Sequence, residues 1–354
     1  SLGHSNRILR KKLSAQLKKV QHISNLYKIE EQEELSKYLT KQSCAESVFF
    51  CNSGAEANES AIKLIKKYGN TVHKGKESFI LAAESSFHGR TLATLSATGQ
   101  PKYQKGFEPM VKGFKFFKYN DIASVKKLFE ELKENNQKAS GILVEPIQGE
   151  GGVIPGDKKF FKELREICNQ YNSLLILDEV QSGVGRTGKM WGYENLEIEP
   201  DGFTLAKGLG GGHAIGALLV QKKANIFTPG DHASTFGGNP FACRAAITVL
   251  EEIKRRKILK NVLERGNQLN EGFTKISAKF PKIISDIRGL GLIQGLVIND
   301  SYTDAKTITL KAFDKGLLLV PAGGNVVRFV PPLIISRNEI NILLKKLDLI
   351  FEEM

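Results

Sequence analysis

Lys207 and Asp178 are the residues best placed to do chemistry. Lys207 follows a short apolar stretch, Gly202-Phe203-Thr204-Leu205-Ala206, and opens a glycine-rich turn, Gly208-Leu209-Gly210-Gly211-Gly212. Upstream, the apolar run Leu174-Leu175-Ile176-Leu177 ends in Asp178-Glu179-Val180-Gln181. The pattern is a buried strand ending in a carboxylate, then a second buried segment ending in an amine. An amine can condense with a carbonyl, and an anion can keep a heteroaromatic nitrogen protonated. Together they suit a site for pyridoxal phosphate (PLP). One lysine among 51 Lys and Arg residues carries little alone, because most lysines are solvated. The surroundings of Lys207 give it weight.

A third segment, Asn52-Ser53-Gly54-Ala55-Glu56-Ala57-Asn58, stands where a helix begins. Small residues allow close approach of a ligand, and free N–H groups there attract an anion. Plain N-capping by Asn52 or Ser53 accounts for the same residues, and the two readings are compatible. Two other glycine motifs fail. Gly183-Val184-Gly185-Arg186-Thr187-Gly188-Lys189 matches the opening of a nucleotide-binding P-loop, but Met190 stands where Ser or Thr must meet magnesium. The glycines at 208–212 lack the spacing and the later acidic residue of a dinucleotide site.

The elements that must position these residues follow from periodicity. Helices are expected over 7–19, 29–40, 56–67, 122–134, 159–171, 240–257 and 337–353. Strands are expected over 79–82, 141–144, 174–178 and 214–220, with shorter ones near 283–287, 292–298 and 326–330. Strands alternating with helices imply an α/β fold. Strands apolar throughout imply a mostly parallel central sheet covered by helices on both faces. The expected division is an N-terminal segment, 1–22, packing with a smaller C-terminal α/β domain, 258–354, and a large domain, 23–257, that binds the cofactor.

The bulk numbers exclude other classes. The chain has 354 residues, 41% hydrophobic and 25% charged, an ordinary globular balance. No apolar run approaches the ~20 residues of a membrane span. Ser1-Leu2-Gly3-His4 lacks the apolar core of a leader, and an ordered fragment of a longer product is expected. Cys44, Cys51, Cys168 and Cys243 match no zinc or redox spacing, so no metal site and a reduced cytoplasmic setting are expected. The net charge of +13 raises the question of nucleic acid. The lysines sit on amphipathic helices without interleaved aromatics, so no nucleic-acid partner is expected.

Taken together, the motifs resemble the class III aminotransferases of PLP fold type I. The carriers are N-S-G-A-E-A-N-E at 52–59, F-H-G-R-T at 87–91, E-P-I-Q-G-E-G-G at 145–152 and D-E-V-Q-S-G-V-G-R-T-G at 178–188. They continue with A-K-G-L-G-G-G at 206–212, S-T-F-G-G-N-P at 234–240 and R-F-V-P-P-L at 328–333. The resemblance covers nearly the whole chain. The wording after Lys207 is most similar to members that act on acetylornithine.

The resemblance implies a set of roles. Lys207 would bond the cofactor and later move protons, and Asp178 would pair with its ring nitrogen. Gln181 would bond its phenolic oxygen, Phe87 would stack on its ring, and Gly54 and Ala55 would offer N–H groups to its phosphate. Thr235 would reach that phosphate from a partner subunit, making a homodimer with shared active sites. Arg90 would bind the carboxylate of acetylornithine, and Arg328 that of glutamate or 2-oxoglutarate, because a guanidinium is bidentate to carboxylate. Glu150 would pair with Arg328 until the keto acid arrives, and Ser234 of the partner would stand near the acyl group. The implied reaction is ping-pong transfer of the terminal amine of N2-acetylornithine to 2-oxoglutarate in arginine biosynthesis.

Alternatives within the class are succinylornithine, ornithine, acetyl-lysine or 4-aminobutyrate as donor, or an aminomutase. From other classes stand a non-catalytic basic binding protein and a P-loop nucleotidase. The chain departs from the family near its start, where Leu2-Gly3-His4-Ser5-Asn6-Arg7 lacks the family's second His and its Pro, and in Gly212-His213-Ala214-Ile215, which lacks a proline often found there.

Overall fold

A computed structural model describes residues 1–74 and 76–354. The larger sheet has seven strands: β1 (Ser47–Cys51), β2 (Ser78–Ala83), β3 (Phe114–Phe117), β4 (Lys138–Val144), β7 (Leu174–Asp178), β8 (Gly202–Leu205) and β9 (Gly216–Val220), with β5 (Ile147–Gln148) and β6 (Ile154–Pro155) forming a small hairpin beside it. The order across the sheet is β1-β9-β8-β7-β4-β2-β3. β9 is antiparallel to both its neighbours, and the remaining pairings are parallel. The mostly parallel sheet expected from the sequence is present. β7 is buried along its whole length, as a strand covered on both faces must be.

Helices cover the sheet. Helix Gly54–Val72 lays Ala57, Ala61, Ile62 and Ile65 against it, and Ile122–Glu134 and Lys158–Gln170 contribute Phe129, Phe161 and Leu164. Asp157 caps the last of these, its carboxylate accepting from the Phe160 N–H at 2.9 Å. Helix Pro240–Arg255 starts with Asn239 as cap and proline in its first turn, a pairing favoured because proline has no N–H to satisfy there.

The C-terminal part has its own four-stranded antiparallel sheet, of order β10-β11-β13-β12: β10 (Ile284–Leu290), β11 (Ile293–Ile298), β12 (Val320–Ala322) and β13 (Val326–Phe329). Leu269, Phe273, Leu296, Phe329, Leu347 and Phe351 build a core separate from that of the large sheet. Helix Ile258–Lys279 joins the two, its first turns giving Ile258 and Val262 to the larger core.

The structure revises some expectations. The first helix is Arg7–Gln16 and stops short of 19. It packs Leu9 and Leu13 on Ala245 of helix Pro240–Arg255, so it lies on the large unit and not on the C-terminal one. Only the first residues reach the C-terminal part, where the Leu333 N–H donates to Ser1 O at 2.8 Å. Strands β1 and β3 also escape the sequence pattern, being five and four residues long.

Candidate active site

The ladder of the large sheet brings the chemistry together. β7 and β8 run parallel with Asp178 opposite Thr204. Both strands therefore end at the same edge, where ligands bind in open α/β sheets. Lys207 stands just past the end of β8, and its φ of +37° lies on the left-handed side. A lysine there carries backbone strain, the kind that persists where the surroundings over-determine a functional residue.

Lys207 and Asp178 line one cavity of about 570 Å³, together with Asn52, Gly54, Ala55, Phe87, Arg90 and Gln181. Lys207 also faces an adjoining cavity of about 400 Å³ with Glu150, Gln181, Arg186 and Arg328. Lys207 is exposed to solvent through these cavities, with protein packed around the base of its side chain. Burial accordingly lowers its ammonium pKa, with Asp178, Glu150 and Glu145 opposing and Arg328 adding to the drop. A lowered pKa raises the share of neutral amine, the nucleophilic form.

Asp178 is held by partners that the sequence did not single out. Its Oδ2 accepts from Asn58 Nδ2 at 2.7 Å and from His88 Nδ1 at 2.8 Å, and its Oδ1 accepts from the Val180 N–H at 3.0 Å. Asn58 is fixed in turn, donating to His88 O and accepting from Thr204 Oγ1, both at 2.8 Å. Asn58 and His88 lie inside the motifs at 52–59 and 87–91, and that position was the only sequence signal for them. A carboxylate has about four acceptor directions. The three donors leave Oδ1 one direction for a donor in the cavity.

Glu145 is a second buried carboxylate in the cavity wall. Its Oε2 accepts from the Phe87 N–H at 3.1 Å and its Oε1 from the Gly149 N–H at 3.3 Å. Burial pushes its pKa up to about 7, with His88 opposing and Asp178 adding.

At the helix start the expected N-cap is formed. Ser53 Oγ accepts from the Glu56 N–H at 3.2 Å, and Glu56 Oε2 accepts from the Asn52 N–H at 2.6 Å. This reciprocal cap satisfies the Glu56 N–H and leaves those of Gly54 and Ala55 without an intrahelical acceptor. A Cβ on residue 54 would stand 2.8 Å from Val180 Cγ1, so only glycine fits the cradle as built.

Glu150 and Arg328 form an ion pair. Arg328 Nη1 donates to Glu150 Oε1 at 2.6 Å and to Gln181 Oε1 at 3.1 Å. Accepting from Arg328 fixes which end of the Gln181 amide is oxygen and leaves the NH₂ end free, the polarity a phenolic oxygen can accept. Arg90 lies over the rings of Tyr103 and Phe87, at 4.1 and 5.4 Å from their centroids.

Ser234 and Thr235 are not in the Lys207 cavity. They line a different one of about 580 Å³, beside His22, Asn25, Phe49 and His232. Ser234 Oγ accepts from Asn52 Nδ2 at 3.1 Å. The P-loop-like segment is followed by a 3-10 turn, Gly192–Asn195, and not by the α-helix that a nucleotide site needs.

The family model for class-III aminotransferases matches residues 1–351. The chain belongs to the class III aminotransferases. As such it is a pyridoxal 5'-phosphate enzyme. It is 99% identical to acetylornithine aminotransferase of Prochlorococcus marinus subsp. pastoris, over all of this chain and 85% of that one. Among solved structures, N-acetylornithine aminotransferase from Stenotrophomonas maltophilia superposes with a TM-score of 0.84 at 35% identity, covering 99% of this chain and 87% of that one. Ornithine aminotransferase from Toxoplasma gondii superposes with a TM-score of 0.93 at 29% identity, covering 99% and 83%. The class III site fits the cofactor by the desolvated amine of Lys207, the open direction on Asp178 and the free N–H groups beside Gly54.

Proposed function

We propose that this aminotransferase moves the terminal amino group of N2-acetylornithine to 2-oxoglutarate, giving N-acetylglutamate semialdehyde and glutamate in arginine biosynthesis. The observation that carries the reading is the meeting of Lys207 and Asp178 in one cavity, with the Glu150–Arg328 pair in the wall of the next. The 99% identity with a Prochlorococcus relative of that name supports the substrate.

Bound pyridoxal 5'-phosphate supplies an aldehyde that takes up the amine and a ring that accepts electrons. The chain supplies the rest. Lys207 Nζ, its pKa lowered by burial, would hold the aldehyde and, when released from it, would move protons within the site. Asp178, with one acceptor direction open on Oδ1, would hold the ring nitrogen protonated. Gln181 would donate to the phenolic oxygen, Phe87 would cover the ring, and the Gly54 and Ala55 N–H groups would hold the phosphate.

Substrate handling rests on two arginines. Arg90 takes the carboxylate of acetylornithine while Glu150 masks Arg328. When the keto acid enters, its α-carboxylate displaces Glu150. Thr235 and Ser234 serve the site of a second copy of the chain, Thr235 at the phosphate and Ser234 near the acyl group. Their place in a cavity apart from Lys207 supports this exchange. The working unit is then a homodimer, with the large domain at 23–257 and the small one at 258–354. A cytoplasmic setting goes with this reading. No helix among the described residues is long and apolar enough to cross a membrane.

A single-turnover panel tests the function. Holoenzyme without keto acid is mixed with acetylornithine, succinylornithine, ornithine, acetyl-lysine or 4-aminobutyrate, and the cofactor absorbance is followed. Fast change with acetylornithine and slow change with the others is expected. Fast change with a different amine overturns the substrate, and no change with any amine overturns the transaminase reading.

A further inference from the structure

We propose that Tyr103 is a positioning residue that sets substrate selectivity, by holding the Arg90 guanidinium over its ring while the N–H donors stay free for the donor's carboxylate. The proposal rests on the reading of Arg90 as carboxylate receptor. Tyr103 lies outside every motif named from the sequence.

Arg90 is exposed and, among the described residues, makes no side-chain hydrogen bond or ion pair. A long side chain in that state samples many rotamers, and a carboxylate must bear the cost of ordering it. Tyr103 removes part of that freedom. The guanidinium carbon stands 4.1 Å from its ring centroid, well inside the range of a cation–π contact. A ring held beneath the cation takes up no hydrogen-bond donor, so the five N–H groups of the guanidinium stay available. A carboxylate partner within the protein would have occupied some of them.

The ring itself is tied down. Tyr103 belongs to a four-residue helix, Pro101–Gln104. Gln100, just before it, is buried and donates to Ser85 O at 3.2 Å and Ser86 O at 3.0 Å, the backbone leading into Phe87. Gln104 donates to Leu95 O at 3.2 Å and Thr98 O at 3.0 Å. Tyr103 also meets Phe87 edge-on, with centroids 6.0 Å apart. Lys102 Nζ, 4.8 Å from the same centroid, puts a second cation beside it.

The test compares Tyr103→Leu, Tyr103→Phe and Arg90→Met holoenzymes in the first half-reaction. Two amines are used: acetylornithine and N-acetyl-1,4-diaminobutane, which keeps the amine and the acetyl group but lacks the carboxylate. Tyr103→Leu should raise half-saturation for acetylornithine about two- to fivefold, the size of one exposed cation–π contact. Its maximal rate and its response to the diamine should stay unchanged, and Tyr103→Phe should behave as the parent. An equal change for both amines, no change, or a Tyr103→Phe variant as poor as Tyr103→Leu overturns the proposal. Arg90→Met separates the two layers. If it leaves acetylornithine binding intact, the reading of Arg90 falls and the proposal with it. If it weakens binding while Tyr103→Leu does not, only the proposal falls.

Discussion

Removing Glu150 should unmask Arg328 and unbalance the two half-reactions. The Glu150–Arg328 contact is 2.6 Å long, and the side chains are 27% and 12% exposed, so solvent does not screen it as it would a surface pair. A hydrogen bond of this charged type is worth about 1.5–3 kcal/mol, and each 1.4 kcal/mol is about tenfold in an equilibrium constant. In the parent enzyme an incoming α-carboxylate must displace Glu150. In Glu150→Ala it need not, and half-saturation for 2-oxoglutarate should fall by roughly ten- to a hundredfold. Arg328 stays in place because Gln181 Oε1 still accepts from its Nη1. Acetylornithine suffers the opposite effect. Its carboxylate now has two receptors, and docking on Arg328 carries the terminal amine away from Lys207. Stopped-flow measurement of each half-reaction separates the cases. Donor slowing that exceeds the effect on the glutamate half-reaction is expected. Equal effects on both halves, or an unchanged response to 2-oxoglutarate, would refute the switch.

Asp178→Asn keeps the size of the side chain but not the charge. Cofactor should remain bound while turnover falls about a hundredfold or more, the usual cost of losing a main charge-stabilising group; near-normal turnover sinks the role. Shared sites predict complementation: Lys207→Ala and Thr235→Val enzymes, each weak alone, should regain activity after mixing and subunit exchange, because one site of the mixed dimer has both residues. No recovery after proven exchange counts against the dimer. The buried carboxyls should leave a mark on stability. Burial raises Glu145 from 4.5 to about 7 and Glu179 from 4.5 to about 8. Raised folded-state values mean that their stability contribution is full below pH 4.5 and is lost as pH climbs through 7 and 8. Thermal unfolding of Glu179→Gln against the parent should show a shallower loss across that window, and parallel slopes would contradict the burial effect.

The sequence was most readable where one chemistry fixed several residues at once. Lys207 and Asp178 were legible because each ends an apolar run, and runs of that kind become neighbouring parallel strands. The turn at Gly54 was legible because Ser53 and the small residues after it are what an N-cap needs. Less was visible where spatial neighbours come from distant segments. Asn58 and His88 grip Asp178 from positions 120 and 90 residues away, a distance at which no local pattern operates. Tyr103 sits on a single turn of helix, too short for periodicity. The direction of β9 was hidden because a fully buried apolar strand looks the same run either way. Arg7–Gln16 misled because an amphipathic helix shows that it has an apolar face but not which surface receives it.

The register of the C-terminal sheet has a consequence for how such enzymes can change. Arg328 sits opposite Gly295 on β11 and Val320 on β12. Successive strand residues point to opposite faces, so a slip of one residue would turn the guanidinium away from Glu150. A change of length in the connection between β11 and β13, residues 299–325, leaves the guanidinium aimed only while Val320 keeps its pairing and Ala305, Ile308 and Ala312 keep their place in the core. A single insertion inside β13 is a different event: the sheet could still form, stable and well packed, in an enzyme deaf to its second substrate. With Arg328 as the proposed receptor of the second substrate, inheritance of substrate choice would be written partly in strand alignment, where a count of matching residues would not find it.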